Sequence, residues 1–221
     1  MSLQEKLDAF KADFEGKKVP RDVVDIMHKA TADLIASGQA ERALKAGSKA
    51  PVIALPDADG NTIRSADLLA KGPLVVTFYR GLWCPYCNMD LQAIEDAAGD
   101  FRATGASVIA ISPQTGANSR RTQRDLKLSY PILSDHGNAV ADAFGLRFRL
   151  PDDLIAVYTA FGIDLATNNG EPSWTLPMPA RYVIDTDGII AYAEVNPDYT
   201  RRPDPGEVMP TLKRLKDKRS A

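Results

Sequence analysis

Two cysteines, Cys84 and Cys87, carry the clearest chemistry in this 221-residue chain, and only Pro85 and Tyr86 separate them. Proline suits the first position of a helix, so we expect Cys84 to be the N-cap residue and Cys87 to lie in the first turn. Unpaired backbone N–H groups and the helix dipole favour a thiolate there. Thiols in Cys-x-x-Cys sites have pKa values of roughly 3.5–7.5. The spacing also lets the sulfurs join, so the sequence predicts a redox dithiol.

The cysteine pair also fits other roles. The cysteines could be a buried structural pair, or ligands of an iron–sulfur cluster bridging two chains. A closed zinc site takes four ligands, and only His28 and His136 are left to help. No local argument places either histidine near the cysteines. We therefore expect no metal and no cofactor.

The pattern around the cysteines predicts a parallel sheet with crossover helices. An apolar, β-rich run at 74–79 precedes the pair, an amphipathic helix follows it, and a second apolar run occupies 108–111. Strand, helix and strand at this spacing form a βαβ unit. Residues 52–63 predict a hairpin, as do residues 182–195. Helices are expected near 118–128, 139–144 and 152–161 and at the C-terminus, with a short strand at 130–133 and a loop through Trp174.

Residues 1–46 predict a helical extension on a domain that covers 47–221. Leu3, Leu7, Phe10 and Phe14 lie along one face of a helix, and Pro20 fits the start of a second helix. A third short helix is expected at 40–46. Such apolar stripes indicate docking onto the neighbouring domain, with a dimer contact as the alternative.

Composition excludes several classes of protein. The formal charge of −2 argues against a dedicated nucleic-acid binder. The charged first residues lack the apolar stretch of a secretory signal, and the longest apolar run is far too short to span a bilayer. We expect a cytoplasmic protein with no membrane association. In the cytoplasm, a Cys-x-x-Cys pair is more often reactive than structural.

From 47 to 215 the chain resembles the peroxiredoxin family, in its alkyl hydroperoxide reductase/thiol-specific antioxidant branch. The matching segments occur in the family's order along the chain: 47–51, 72–79, 108–113, 130–135, 139–145 and 182–185. The resemblance implies an α/β thioredoxin-like fold, with a central mixed sheet flanked by helices. It also implies reduction of hydrogen peroxide or organic hydroperoxides by a cysteine that becomes a sulfenic acid.

The active-site motif departs from the family's Pro-x-x-x-Thr-x-x-Cys. Here Arg80 stands at the proline position, Cys84 at the threonine position and Cys87 at the position of the peroxide-reacting cysteine. The family's arginine position holds Pro179. Two activating residues of the family are therefore absent from their usual positions.

The replacements resemble thioredoxin and glutaredoxin. Trp83 followed by Cys-x-x-Cys at a strand–helix junction is the thioredoxin arrangement, and the inner Pro-Tyr pair is that of glutaredoxins. In those families a cis-proline faces the dithiol, so we expect a cis bond between Met178 and Pro179. By the same resemblance, Trp83 shields the pair.

The two resemblances disagree about the nucleophile. Thioredoxin-like logic makes the more exposed Cys84 the first attacker on disulfides, which we favour, with Cys87 resolving. Peroxiredoxin-like logic makes Cys87 the peroxide-reacting thiolate. Arg80, four residues before Cys84, is a candidate for stabilising the thiolate, and Arg181 is a weaker one; for both, a solvated surface arginine is the alternative.

The expected function is a thiol-dependent peroxidase that cycles Cys84 and Cys87 between dithiol and disulfide. The alternatives are a thiol–disulfide oxidoreductase with little peroxidase activity and a non-enzymatic redox sensor or dimeric metal-binding module. Expected partners are a peroxide substrate and thioredoxin, glutathione or glutaredoxin as reductant. A homodimer is an additional possibility.

Overall fold

The computed structural model describes residues 1–220. Its helices are α1 (Leu3–Lys17), α2 (Arg21–Ala36), α3 (Gln39–Arg42), α4 (Ser65–Leu69), α5 (Pro85–Ala103), α6 (Gly116–Asp125), α7 (Ala139–Ala143), α8 (Asp152–Ala160), α9 (Leu165–Asn169) and α10 (Met209–Ser220). Its strands are β1 (Ala54–Pro56), β2 (Thr62–Arg64), β3 (Leu74–Phe78), β4 (Ser107–Ser112), β5 (Ile132–Ser134), β6 (Arg147–Arg149), β7 (Thr175–Pro177), β8 (Ala180–Ile184) and β9 (Ile190–Val195). Short 3₁₀ turns occupy His136–Asn138 and Pro205–Val208.

A five-stranded mixed sheet in the order β5-β4-β3-β8-β9 forms the centre of the protein. Strands β3, β4 and β5 are parallel, whereas β8 runs antiparallel to both β3 and β9. The βαβ unit built from β3, α5 and β4 is therefore as predicted, and so is the β8–β9 hairpin.

Strand β3 lies in the middle of this sheet and is buried on both faces. Val75 faces the core beneath α1, α5 and α10, and Val76 faces the opposite core with α7. This alternation explains why the sequence of β3 is continuously apolar. The loop after β3 thus starts from a rigid, fully enclosed strand.

The N-terminal helices pack against the rest of the chain, as the apolar stripes predicted. Leu3 and Leu7 of α1 belong to the core that includes Leu91 of α5. Met27 of α2 packs in a separate cluster with Leu154 of α8. The third helix is shorter than expected, at Gln39–Arg42. The domain division at residue 46 stays a prediction.

The segment 147–178 holds more structure than the predicted helix and loop. Strands β6 and β7 pair antiparallel in a separate two-stranded sheet, and α9 follows α8 in the chain and precedes β7. Each of these elements is only three to five residues long, so a periodic pattern could not identify them. Among the described residues, no helix has the length and apolar character needed to cross a membrane.

Candidate active site

The cysteine pair lies where the loop after β3 enters α5. The backbone N–H of Cys84 donates to the carbonyl of Gly81 (3.1 Å), and Gly81 has φ +149°. Cys84 is the N-cap residue of α5 and Pro85 occupies its first turn, as predicted. Cys87 therefore lies in the first helical turn, where free N–H groups and the helix dipole favour negative charge.

The two sulfurs lie 2.8 Å apart, and both cysteines are unbridged. Cys84 is 2% exposed and Cys87 is fully buried. The expectation that Cys84 is the more exposed residue is thus met only marginally. A reagent can reach either sulfur only through movement of the side chains that cover them.

The electrostatic setting distinguishes the two thiols. Burial alone would raise the pKa of Cys87, but a hydrogen bond from Cys84 and the charges of Arg202 and Arg80 lower that pKa to about 6. A backbone hydrogen bond from Arg80 acts in the same direction. Burial, together with the neighbouring Cys87 sulfur, raises the pKa of Cys84 well above its usual range. This setting therefore favours the thiolate at Cys87 and the protonated thiol at Cys84.

Arg202, which was not anticipated from the sequence, supplies the direct contact to the thiolate. Its Nη2 donates to the sulfur of Cys87 at 3.5 Å. Its Nε lies 3.4 Å from a carboxylate oxygen of Asp90, and its Nη1 donates to the carbonyls of Tyr199 and Arg201, both at 2.7 Å. Arg202 is therefore fixed on several sides and presents one edge to the sulfur.

Arg181, the weaker candidate, reaches the site through Asp90. The Arg181 and Asp90 side chains form an ion pair that is almost completely buried. Arg181 also donates to the carbonyl of Pro203, the residue after Arg202. The interpretation of Arg181 as a solvated surface arginine is therefore wrong, because the side chain ties β8 to α5 and to the loop that carries Arg202.

Arg80 is buried as well, at 2% exposure, so it too is not a surface arginine. Its guanidinium lies 4.1 Å from the centre of the Tyr199 ring and 4.9 Å from that of Trp83. It also donates to the hydroxyl of Tyr158. Its charge lowers the pKa of both cysteines against the opposing effect of burial. Arg80 thus stands near the thiols within an aromatic enclosure, which stabilises a buried cation.

Trp83 covers the pair from one side. Its ring packs edge-on against Tyr158, with 5.4 Å between the ring centres. Both rings and Cys84 line a small pocket of about 60 Å³, which we call the aromatic pocket. Other walls come from the N-terminal extension and α5, with Phe10 packed edge-on against Tyr86. The N-terminal helices therefore form part of the enclosure around the dithiol.

The expectation of a cis bond before Pro179 is wrong, because no cis peptide bond occurs among the described residues. Pro179 is buried immediately before β8, and its carbonyl accepts from the backbone N–H of Asn196 (3.1 Å). Pro179 and Arg80 both line a cavity of about 470 Å³ between α2 and α8. The sequence match to thioredoxins at this position does not carry the backbone geometry with it.

Arg202 and Asp90 are the site residues that sequence reasoning missed. Asp90 did carry a signal, since it lies three residues after Cys87 on a helix face that is otherwise apolar and buried. An acidic residue there needs a cationic partner. Nothing local points to Arg202, because it lies in the loop after β9 and meets Cys87 across 115 positions of sequence.

Among the described residues, the two histidines do not complete a metal site with the cysteines. Within residues 1–220, no cluster of three or more His, Cys, Asp or Glu side chains is placed to hold a metal ion. His28 instead bonds to Glu15 at 2.8 Å, and His136 is exposed in a turn.

Comparison with known proteins matches this chain to one family. The AhpC/TSA family model matches residues 46–193. A putative peroxiredoxin of Mycobacterium tuberculosis is 38% identical over 154 residues, which cover 69% of this chain and 86% of that protein. Chloroplastic peroxiredoxin Q of Oryza sativa subsp. japonica is 32% identical over 146 residues. The match spans 66% of this chain and 57% of the rice protein, somewhat over half its length.

Solved structures agree on the fold. The crystal structure of peroxidoxin BcpB from Mycobacterium tuberculosis superposes with a TM-score of 0.61 at 23% identity, covering 79% of this chain and 97% of that one. A peroxiredoxin Q mutant from Xylella fastidiosa gives a TM-score of 0.59 at 14% identity, covering 80% and 98%. The predicted thioredoxin-like fold of peroxiredoxin type, with N-terminal helices added, is confirmed. With the family model matched over two thirds of its length, this chain belongs to the AhpC/TSA family.

Proposed function

We propose that the protein is a thiol-dependent peroxidase that reduces hydrogen peroxide or organic hydroperoxides. The observation that carries the proposal is the Cys87 sulfur, which lies 3.5 Å from the Arg202 guanidinium and 2.8 Å from the Cys84 sulfur. The first contact holds a nucleophile in its ionised form, and the second holds a resolving thiol within reach. Family membership supports the same activity.

In the first step, the Cys87 thiolate attacks a peroxide oxygen. The sulfur–oxygen bond forms, the O–O bond breaks, and the leaving alkoxide or hydroxide takes a proton to become an alcohol or water. Cys87 becomes a sulfenic acid. Arg80 and Arg202 are placed to stabilise the negative charge that moves from sulfur to the leaving oxygen. They supply the cations that the family's usual positions lack in this chain.

In the second step, Cys84 resolves the sulfenic acid. Its sulfur attacks the Cys87 sulfur, and the Cys84 proton leaves with the sulfenic hydroxyl as water. A raised pKa suits this role, because Cys84 then keeps its proton until the sulfenic acid has formed. The product is a disulfide that closes a small ring at the start of α5.

The cycle needs a thiol reductant to restore the dithiol. Thioredoxin, glutathione and glutaredoxin are the candidate donors.

The apolar stripes of α1 and α2 pack against other parts of the same chain, and a homodimer stays a prediction.

The thiol–disulfide oxidoreductase is the second candidate, favoured by the position of Cys84 beside the aromatic pocket. In that reaction, Cys84 would exchange with the substrate disulfide and Cys87 would release it. The preference for Cys84 as the first attacker on disulfides is supported by its place beside this pocket and opposed by its raised pKa, since the lowered pKa of Cys87 makes that residue the better nucleophile.

Stopped-flow oxidation of the reduced protein tests the proposal. We expect Cys84→Ser to react with hydrogen peroxide and to accumulate a sulfenic acid on Cys87 that a dimedone-type trap labels. Cys87→Ser should not be trapped. A rate constant no better than that of free cysteine would remove the peroxidase function, and trapping only on Cys84 in the Cys87→Ser protein would reverse the assignment.

A further inference from the structure

A cavity of about 470 Å³, which we call the α2–α8 cavity, adjoins the active site. It lies between α2, strand β6, α8 and the loop after β9, and its volume is within the range of small-molecule sites. It shares three lining residues with the aromatic pocket that contains Cys84: Arg80, Tyr158 and Tyr199. The α2–α8 cavity and the aromatic pocket therefore share a wall made of these three side chains.

The charges lining this cavity favour an anion. Arg147 and Arg149, two residues apart on β6, both line it. Arg149 is neutralised by exposed Asp152 at 2.9 Å, whereas Arg147 forms no ion pair among the described residues. The acidic lining residue, Asp33, is already paired with Lys29 outside the cavity. Arg147 is thus a lining cation without an ion pair that a carboxylate or phosphate ligand can contact, although its charge also acts on the buried carboxyl of Asp135.

Arg80 points to the same chemistry from the inner end. It is 98% buried, it lines both cavities, and its Nε has no hydrogen-bond partner. A buried unpaired donor costs about 1–3 kcal/mol. When Cys84 and Cys87 form a disulfide, the thiolate that faces the buried arginines is lost and their positive charge is left less compensated. The oxidised protein thus has the stronger attraction for an incoming anion.

Access favours a small molecule over a folded protein. Cys84 is 2% exposed and is covered by Trp83, Tyr158 and side chains of the N-terminal helices. A protein reductant must bring its own cysteine to the buried sulfur, whereas a tripeptide-sized thiol fits the α2–α8 cavity. A hydroperoxide with an apolar tail would fill the same space, but it gives no role to the unpaired Arg147.

We propose that the α2–α8 cavity binds a low-molecular-weight thiol with carboxylate or phosphate groups, which reduces the Cys84–Cys87 disulfide. This inference rests on the proposed peroxidase cycle and names its reductant. Arg147 binds the anionic group. The Arg80 guanidinium, placed between the two cavities, stabilises the incoming thiolate.

The exchange proceeds in two balanced steps. A thiolate attacks the Cys84 sulfur, the Cys84–Cys87 bond breaks, and its electron pair leaves with Cys87 as a thiolate. A second small thiolate attacks the sulfur of the first in the mixed disulfide, releasing the small disulfide and Cys84, which takes a proton from solvent. Attack falls on Cys84 because the thiol with the lower pKa, Cys87, is the better leaving group.

The test measures reduction of the full-length disulfide form, prepared with diamide so that no peroxidase activity is needed. Glutathione, coenzyme A, cationic cysteamine and a thioredoxin are compared as reductants. Each rate constant is divided by the fraction of that reductant present as thiolate. Glutathione distinguishes a carboxylate ligand from the phosphate-bearing coenzyme A. We expect at least one of these two anionic thiols to react about tenfold faster than cysteamine, and faster than thioredoxin.

Two variants locate the effect. Arg147→Gln should remove the preference for the anionic thiol, a change of about tenfold for one charged contact. Ala30→Trp, whose side chain would fill the cavity, should slow that thiol about tenfold. Its control is Ala36→Trp, an exposed position of the same helix that lines neither the α2–α8 cavity nor the aromatic pocket, and this substitution should leave the rate unchanged.

Three results would overturn the inference. The first is no preference for the anionic thiols over cysteamine, and the second is reduction by thioredoxin that is faster than reduction by the anionic thiols. The third is an Ala30→Trp protein in which only the oxidation by cumene hydroperoxide is slowed. Failure of the peroxidase function would appear separately, as slow oxidation of the reduced protein by hydrogen peroxide without thiol.

Discussion

The Nη2 atom of Arg202 lies 3.5 Å from the sulfur of Cys87, although 115 positions of sequence separate the two residues. The same guanidinium is paired with Asp90, which lies one helical turn beyond Cys87 on α5. One carboxylate thus orients the cation that stabilises the thiolate, and a second arginine, Arg181, holds that carboxylate. The cation that contacts the Cys87 sulfur therefore comes from a loop outside the cysteine motif.

Removal of Arg202 should raise the pKa of Cys87. The charge helps to lower that pKa to about 6 against the effect of burial, so Arg202→Gln is expected to raise it. The thiolate fraction at pH 7 and the oxidation rate would then fall, by about tenfold for each unit that the pKa rises above 7. Thiolate absorbance near 240 nm and the second-order rate constant with hydrogen peroxide measure the two quantities.

The matched control for this prediction is Arg201→Gln. Arg201 is the exposed neighbour, and its contact with Asp8 is a surface ion pair at 3.7 Å, which contributes little to stability. In the Arg201→Gln protein, we expect the pKa of Cys87 and the rate constant with hydrogen peroxide to equal those of the wild type. Equal values in Arg202→Gln as well would show that the contact with Cys87 does not activate the thiol.

The oxidation rate should rise with pH through about 6 and level off above about 7. The sign follows from the lowered pKa of Cys87, because the reactive thiolate is present above that pKa and is lost as the pH falls through it. Burial also raises the pKa of Glu194 to about 7, so Glu194→Gln is measured in parallel. The midpoint of the pH–rate profile is assigned to Cys87. A midpoint that moves with the Glu194→Gln substitution, or one near 9 in the wild-type protein, would contradict this assignment.

Much of the fold was predictable because its elements carry local signals. The buried strand β3, the capped start of α5 and the β8–β9 hairpin are each specified by neighbouring residues, and all three appear as expected. The three-residue strands β6 and β7 were missed because they pair with each other across 25 intervening residues. Pairing of that kind leaves no periodic pattern in either segment.

The candidate site was predictable in Arg80, Trp83 and the two cysteines, because these residues lie within eight consecutive positions of the sequence. Arg202 enters from the loop after β9, so its contact with Cys87 depends on how the whole sheet positions that loop. The cis bond at Pro179 was wrongly expected, since the sequence around a proline does not set the isomer on its own. Non-local contacts and backbone isomers are the two features that a motif does not specify.

Gly81 should not tolerate a side chain. Its φ is +149°, and a Cβ atom there would lie 2.6 Å from Nε1 of Trp83. We expect Gly81→Ala to displace Trp83, to change its fluorescence and to destabilise the protein by about 1–3 kcal/mol. Gly99→Ala on α5 is the control, since nothing lies within 4 Å of its added Cβ. It should stabilise the helix by about 0.5–1 kcal/mol; equal effects of the two substitutions in urea unfolding would contradict the prediction.

Asp90→Asn tests whether the buried charge network supports the fold as well as the site. Asp90 is 2% exposed and is the carboxylate shared by Arg181 and Arg202. Removing one partner of a buried pair leaves an uncompensated charge and costs about 3–5 kcal/mol. We expect a loss of that size in the free energy of unfolding in urea. Asp96→Asn, an exposed position on the same helix, should change it by less than about 0.5 kcal/mol. If Asp90→Asn were equally mild, water would have to be solvating the two arginines in place of the carboxylate.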